Sequence, residues 1–314
     1  MAEPPPLVAL GVLSSFGASG QASAAQYLGR RTSLRDGSRR FAQVGLNVRL
    51  TFLIATPPAL TNRAALGDEQ REHRDIFVLP MNESRFNCAL KPLIWFAHCA
   101  IAFPQTHFYA IADDDTYLQL AHLEADVRSL LPMDDGALVL YGLVMWYAMY
   151  DNVTMVPHEA WGGWLPTDAM AVKLRRRIER CRDARGRALS SSHSARDPCT
   201  RMASASRETI ARNGLADDVP PWPVVNGPLF AVSRSLARLL VDDPYPRTYL
   251  ERLHGTARVR AALSRRNGPR KSNFGCWPVY DTVLGLWVTQ IAKARNVAVR
   301  LVNMPVTRLH RSNP

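Results

Sequence analysis

Three consecutive aspartates close an apolar run, Phe108-Tyr-Ala-Ile-Ala-Asp113-Asp114-Asp115, and this is the sharpest chemical feature of the chain. Residues i and i+2 share a face of a strand, so a strand here would project Asp113 and Asp115 together and turn Asp114 away. Paired carboxylates at a sheet's carboxyl edge suit a hard divalent cation such as Mn²⁺ or Mg²⁺, which in turn binds a diphosphate. The plainer reading is a solvated turn, which also fits Asp134-Asp135-Gly136 and Asp242-Asp243-Pro244. The triple Asp differs in having an apolar strand before it and Thr-Tyr-Leu after it.

A second cluster, Trp146-Tyr147 through His158-Glu159-Ala-Trp161-Gly162-Gly163-Trp164, offers aromatic faces of the kind that stack on pyranose rings. Core packing and loop turns account for it equally well.

The elements that must position these residues follow a rhythm. Apolar runs at Leu7–Ser15 and Val48–Thr56 read as strands, with a helix between them at Ala22–Leu34. Next come a strand at Asp75–Pro80, a helix at Ala89–Phe103 and a strand at His107–Ala112. A helix near Leu120–Leu131 and a strand at Ala137–Leu143 complete the first 145 residues. Such alternation predicts an α/β fold, an open and mostly parallel sheet with helices on both faces and ligand sites at the carboxyl ends of its strands. From Pro166 to Asp218 the character changes to a basic helix, Lys173-Leu-Arg-Arg-Arg177, and a Ser/Arg-rich surface loop. Order returns at Val219–Leu240, and after a loop at Gly268–Pro278 come a helix from about Thr282 to Ala294 and a strand at Val297–Val302. The chain reads as one domain over residues 1–314 with a basic insertion at about 166–218.

With 47% apolar residues, the 314-residue chain buries a real core, which excludes disorder for most of its length. The balance of 39 basic and 27 acidic residues gives +12, almost entirely from arginine, and favours anionic partners. Apolar runs stop short of a membrane span, the longest being Leu138–Tyr150. Five cysteines without CxxC spacing argue against a structural zinc site. Cys181 and Cys199 bracket the arginine-rich loop as either a disulfide or two free thiols. Asn82-Glu-Ser84 and Asn152-Val-Thr154 are glycosylation sequons, of which roughly one or two arise by chance in a chain of this composition.

Several segments, taken in order, resemble an inverting β-1,3-glycosyltransferase of family 31, the galactosyltransferase and Fringe-like group with a GT-A fold. Arg30-Arg31-Thr-Ser-Leu34-Arg35 is similar to its Arg-Arg-x-x-Ile-Arg segment, and Asp75-Ile-Phe-Val-Leu-Pro-Met-Asn-Glu-Ser84 to its D-I-…-D-S-Y stretch. Asn87-Cys-Ala-Leu90-Lys91 resembles Asn-Leu-Thr-Leu-Lys, and Ile111-Ala-Asp113-Asp-Asp115-Thr-Tyr117 resembles Val-Asp-Asp-Asp-Val-Phe. Trp222-Pro-Val-Val-Asn226-Gly227 through Ser233 resembles Tyr-Pro-x-Tyr-x-Ser-Gly and the residues after it, while Tyr280-Asp281-Thr-Val-Leu-Gly285 resembles Glu-Asp-Val-x-x-Gly. In arginine-rich style the chain is similar to the phosphoglycan β-1,3-galactosyltransferases of kinetoplastid parasites.

The resemblance implies a GT-A-like sheet and transfer of galactose from UDP-galactose to a hydroxyl of a glycan or phosphoglycan. Asp113 and Asp115 would hold Mn²⁺ or Mg²⁺, with His310 as a third ligand unless it is a solvated tail histidine. Asp113, Asp114 and Arg35 would meet the UDP-sugar, and Asp281 would be the general base unless it merely caps the helix starting at Thr282. Tyr280 stands where the family has Glu, Ser38 where it has Trp, and Pro228 follows the shared Gly227. Family members work in the Golgi lumen on a type II membrane anchor, which would lie outside these 314 residues. Three alternatives are kept: UDP-N-acetylglucosamine as donor, a homologue that binds glycans or UDP without turnover, and an arginine-rich nucleic-acid surface at Arg175–Arg187.

Overall fold

The computed structural model describes residues 5–16, 24–42, 46–57, 60–83, 87–131, 136–147, 222–255, 280–304 and 310–311. In chain order they form β1 (Val8–Leu13), α1 (Ala24–Ala42), β2 (Val48–Thr56), α2 (Leu60–His73), β3 (Ile76–Asn82), α3 (Leu90–Ala102), β4 (Phe108–Asp113), β5 (Thr116–Tyr117), α4 (Leu120–Leu130) and β6 (Leu138–Tyr147). After the insertion come β7 (Trp222–Ser233), α5 (Arg234–Asp242), α6 (Tyr245–Gly255), α7 (Tyr280–Arg295), β8 (Val299–Asn303) and β9 (His310–Arg311).

A seven-stranded sheet in the order β3-β2-β1-β4-β7-β6-β8 organises the molecule, with β5 and β9 paired beside it. β1 pairs in parallel with both β2 and β4, and β2 with β3. β7 runs antiparallel to β4 and β6, and β6 pairs in parallel with β8. The sheet is therefore mixed and mostly parallel, as the alternation predicts.

β1, and β4 as far as Ala112, are apolar because helices cover both faces, the pattern of a doubly covered parallel sheet. Ala9, Leu53, Tyr109 and Ile111 pack into one core with Trp95 and Phe96 of α3, Leu236 and Leu240 of α5 and Trp287 of α7. Their neighbours in the strands, Val8, Leu10, Phe52, Ile54 and Ala110, pack into the other with Leu66 of α2 and Leu123 and Val127 of α4. Gly11 permits the first core to close, since a Cβ there would lie 2.6 Å from Leu53 Cδ1 and 2.8 Å from Trp95 Nε1.

Two differences from the sequence reading matter. α1 continues past Leu34 to Ala42, and α2 forms where the sequence pattern predicts no helix. Both helices are poor in apolar residues and dock by ion pairs: Arg31 of α1 grips Glu69 of α2 at 2.8 and 2.7 Å, and Arg35 meets Glu69 at 2.9 Å. Among the described residues no helix is long and apolar enough to cross a membrane. The basic helix at Lys173–Arg177, the Cys181 and Cys199 loop, the His158–Trp164 cluster and the Gly268–Pro278 loop lie outside the described residues.

Candidate functional site

The carboxyl edge of β1 and β4 is where the sheet changes winding direction, with β2 on one side of β1 and β4 on the other. Ser14 leaves β1 and the triple Asp leaves β4 at this edge. β4 ends at Asp113, and Asp114 and Asp115 form a turn, so the alternation expected of a continuous strand stops one residue into the motif. This corrects the expectation that Asp113 and Asp115 share a strand face.

Asp114 is buried, its carboxylate accepting the Ser14 hydroxyl at 2.6 Å and Arg30 Nη1 at 2.9 Å. Burial pushes its pKa up, while the Ser14 and Arg30 bonds pull it back. Arg30 Nη2 lies 3.9 Å from Asp115 Oδ2, and the Asp115 side chain is 58% exposed. Asp114 thus orients Arg30 from below, and Asp115 is the carboxylate that solvent reaches.

Asp113 stands apart chemically. Tyr280 donates its hydroxyl to Asp113 Oδ1 at 2.6 Å. Burial pushes the Asp113 carboxyl up to about 7; the Tyr280 bond opposes that, and Asp115, Asp281 and Asp114 add to it. The Tyr280 phenol is pushed upward as well, first by burial and then by Asp113.

Asp281 is buried in the first turn of α7, which begins at Tyr280 rather than Thr282. It therefore lies inside the helix and is not the residue flanking it, which corrects the capping alternative. The helix dipole still favours its negative charge there. α7 is seated by Gly285, where a Cβ would lie 1.8 Å from the Pro223 carbonyl oxygen of β7.

The resemblance puts Arg35 at the nucleotide, and the structure uses it elsewhere. Its guanidinium makes a bidentate pair with Asp75 at 2.7 and 2.8 Å, meets Glu69, and lies 4.9 Å from the centre of the Phe52 ring. Asp75 precedes β3, several residues behind the carboxyl edge. α1 runs back from that edge at about 1.5 Å per residue, so Arg30 reaches it and Arg35 does not. Arg31 lies between them, donating to Ser14 Oγ at 3.2 Å and to the Ser15 carbonyl at 2.9 Å. The pairing of Arg30 with Asp114 and of Arg31 with Ser14 leaves no signal in the sequence beyond the adjacent arginines.

Lys91 and Glu83 also lie beside Ser14, a placement that sequence reasoning misses. Lys91 Nζ lies 2.9 Å from Glu83 Oε1 and 3.4 Å from the Ser14 carbonyl, while Glu83 Oε2 is buried without a hydrogen-bond partner. β9 pairs with β5 so that His310 lies across from Tyr117, two residues past Asp115. Among the described residues no three metal-ligating side chains come together. The carboxyl oxygens of Asp113 and Asp115 have the donor chemistry that a hard cation takes, and Asp115, Asp281 and Asp114 all act electrostatically on Asp113. Cys88 is disulfide-bonded, and Cys99 is a buried free thiol whose pKa burial raises.

The galactosyltransferase family model matches residues 29–151, from α1 to just beyond β6. That segment contains Arg30 and the triple Asp; Asp281 and His310 lie beyond it. The match supports glycosyltransferase activity, with a sugar donor and a glycan acceptor. No curated protein matches the chain. Among solved structures, the mannose-1-phosphate geranyltransferase of Thermus thermophilus is 14% identical, with 95% of this chain and 75% of that one covered at a TM-score of 0.39. The 4-diphosphocytidyl-2C-methyl-D-erythritolsynthase of Anaerococcus prevotii is 8% identical, with 96% and 91% covered at 0.32.

Proposed function

We propose, from the galactosyltransferase match over residues 29–151 and the carboxylates gathered at the β1–β4 edge, that the chain is an inverting β-1,3-galactosyltransferase that uses UDP-galactose. The acceptor is a hydroxyl of a glycan or phosphoglycan, the second being favoured by the +12 charge. The observation that carries the reading is the galactosyltransferase match over residues 29–151, with Asp115, in the turn after β4, and Asp281, in the first turn of α7, near enough to Asp113 to push its carboxyl up.

In this reading Asp281 takes the proton from the acceptor hydroxyl at its carboxylate as that oxygen attacks the anomeric carbon from the face opposite UDP. Burial at the helix amino end holds the group dry and oriented. Arg30 sets positive charge beside the departing diphosphate, held in place by Asp114 and Ser14. Glu83 Oε2, buried and unpartnered, is an acceptor for an N–H of the base. Asp113, Asp115 and His310 would hold Mn²⁺ or Mg²⁺, whose chemistry is to neutralise charge on the leaving diphosphate. The disulfide at Cys88 supports work in the secretory pathway, with the Golgi lumen as the proposed compartment.

Calorimetry of UDP binding, first with Mn²⁺ and then with chelator, tests the reading without a known acceptor. Binding that needs the metal supports it, and a donor screen with UDP-galactose and UDP-N-acetylglucosamine then assigns the sugar. An absence of UDP binding in both conditions refutes it.

A further inference from the structure

We propose that Tyr280 is a positioning residue that holds the first turn of α7 against the end of β4, and so sets the separation between Asp281 and Asp113. The proposal rests on the donor and base reading above. It draws on a residue that departs from the family resemblance, since a tyrosine occupies the place of the family's glutamate.

Three contacts argue for it. The Tyr280 hydroxyl reaches across 167 residues of sequence to Asp113 Oδ1 at 2.6 Å, which fixes one carboxylate oxygen. Its ring packs beside Phe230 of β7, with centroids 6.1 Å apart. One and a half turns further on, Gly285 brings α7 into backbone contact with Pro223 and Val224 of β7. A helix held at two points, its middle on β7 and its start on β4, cannot slide or rotate about its axis. Asp281 follows Tyr280 directly, so its Cα is fixed by the same two points.

The hydroxyl is more than packing. A phenylalanine would fill the same space, so burial alone does not select tyrosine, and burying a hydroxyl beside carboxylates is costly unless it donates a hydrogen bond. The bond to Asp113 meets that condition. It also engages Oδ1 of Asp113.

Tyr280→Phe in the full chain tests this, with Leu236→Ala in α5 as a control that loosens the same core without touching the hydroxyl. Three quantities are measured: kcat and KM for hydrolysis of UDP-galactose to UDP and galactose, with water in the acceptor's place, UDP affinity by calorimetry with Mn²⁺, and hydrogen exchange of the peptide covering residues 280–288 without ligand. Tyr280→Phe should lower kcat by about tenfold or more, the cost expected of a displaced base, with KM and UDP affinity within about threefold. The 280–288 peptide should exchange faster in the same variant. Leu236→Ala should lower the melting temperature and keep kcat. Unchanged kcat in Tyr280→Phe, unchanged exchange at 280–288, or an equal loss in kcat and in UDP affinity overturns the proposal. A wild-type chain that does not bind UDP refutes the donor reading itself, and that control separates the two failures.

Discussion

Replacing Gly285 by alanine puts the α7–β7 contact to a quantitative test. The added Cβ would lie 1.8 Å from the Pro223 carbonyl oxygen, 2.8 Å from its carbon and 3.0 Å from Val224 Cα. A relaxed carbon–oxygen approach is about 3.3 Å, so α7 and β7 must part by roughly 1.5 Å. All three obstructing atoms are backbone, and no rotamer change relieves them. Overpacking of this kind costs about 1–3 kcal/mol, and alanine's higher helix propensity returns about 1 kcal/mol. The net loss of about 2 kcal/mol or less is tolerable against a typical stability of about 5–15 kcal/mol, so the variant should fold with a melting temperature lowered by several degrees. Catalysis has less tolerance, since a misplacement of about 1 Å costs on the order of 10²-fold in rate. The expected outcome is a folded protein that binds UDP nearly as well as wild type and turns over UDP-galactose about a hundredfold more slowly. Steady-state UDP release, a thermal melt and UDP calorimetry on one preparation decide it. Wild-type kcat in a folded Gly285→Ala protein would refute the claim that this contact positions Asp281.

Two further perturbations separate binding from scaffolding. Arg30→Met should weaken UDP binding by about tenfold, the loss of one charge-assisted hydrogen bond, while Arg35→Met should destabilise the fold by about 1–3 kcal/mol, because Asp75 loses its bidentate partner while Glu69 keeps Arg31. If calorimetry and urea melts give the opposite assignment, the division of labour along α1 is wrong. Glu69 is held below the ordinary glutamate range, since its bonds to Arg31 and Arg35 outweigh the upward push of burial. Its stabilising contribution is therefore complete above the unfolded-state pKa and is lost as pH falls through the folded value. Glu69→Gln should lower the urea midpoint strongly at pH 7 and much less at about pH 3, and an equal deficit at both would refute the assignment.

The doubly covered strands were legible because burial on both faces demands unbroken apolar runs: β1, β2 and β4 fall where Leu7–Ser15, Val48–Thr56 and His107–Ala112 predict them. α2 was illegible for the converse reason. Leu66 and Glu69 are its buried residues, and the contact that seats it is a carboxylate between two arginines, which carries no apolar period. The same contact hid the roles along Arg30-Arg31-Thr-Ser-Leu34-Arg35. Sequence spacing puts Arg30 and Arg31 on a helix and Arg35 just past its end; only the partners, Asp114 for the first, Glu69 for the second and Asp75 for the third, say which faces the site. Asp281 stands out by its neighbours in sequence, and its nearness to Asp113 depends on Gly285 and Tyr280, residues whose effect needs the fold.

Charge arithmetic at the β1–β4 edge links these observations. Asp115, Asp281 and Asp114 all act electrostatically on Asp113 there, and among the described residues Arg30 is paired with Asp114 and Asp115. The amino end of α7 adds about half a positive charge beside Asp281. Among these described residues negative charge still prevails, and the Asp113 carboxyl is pushed up to about 7, first by burial and then by its carboxylate neighbours, against the Tyr280 bond. A buried carboxyl beside other carboxylates is one whose charged form a cation would stabilise. In the proposed reaction Asp113, Asp115 and His310 would hold a cation that offsets the charge of the diphosphate. Arg30 then has the narrower task of orienting a diphosphate whose charge is already offset. This is why its own orientation, secured from the buried side by Asp114 and Ser14, is worth the cost of a buried carboxylate.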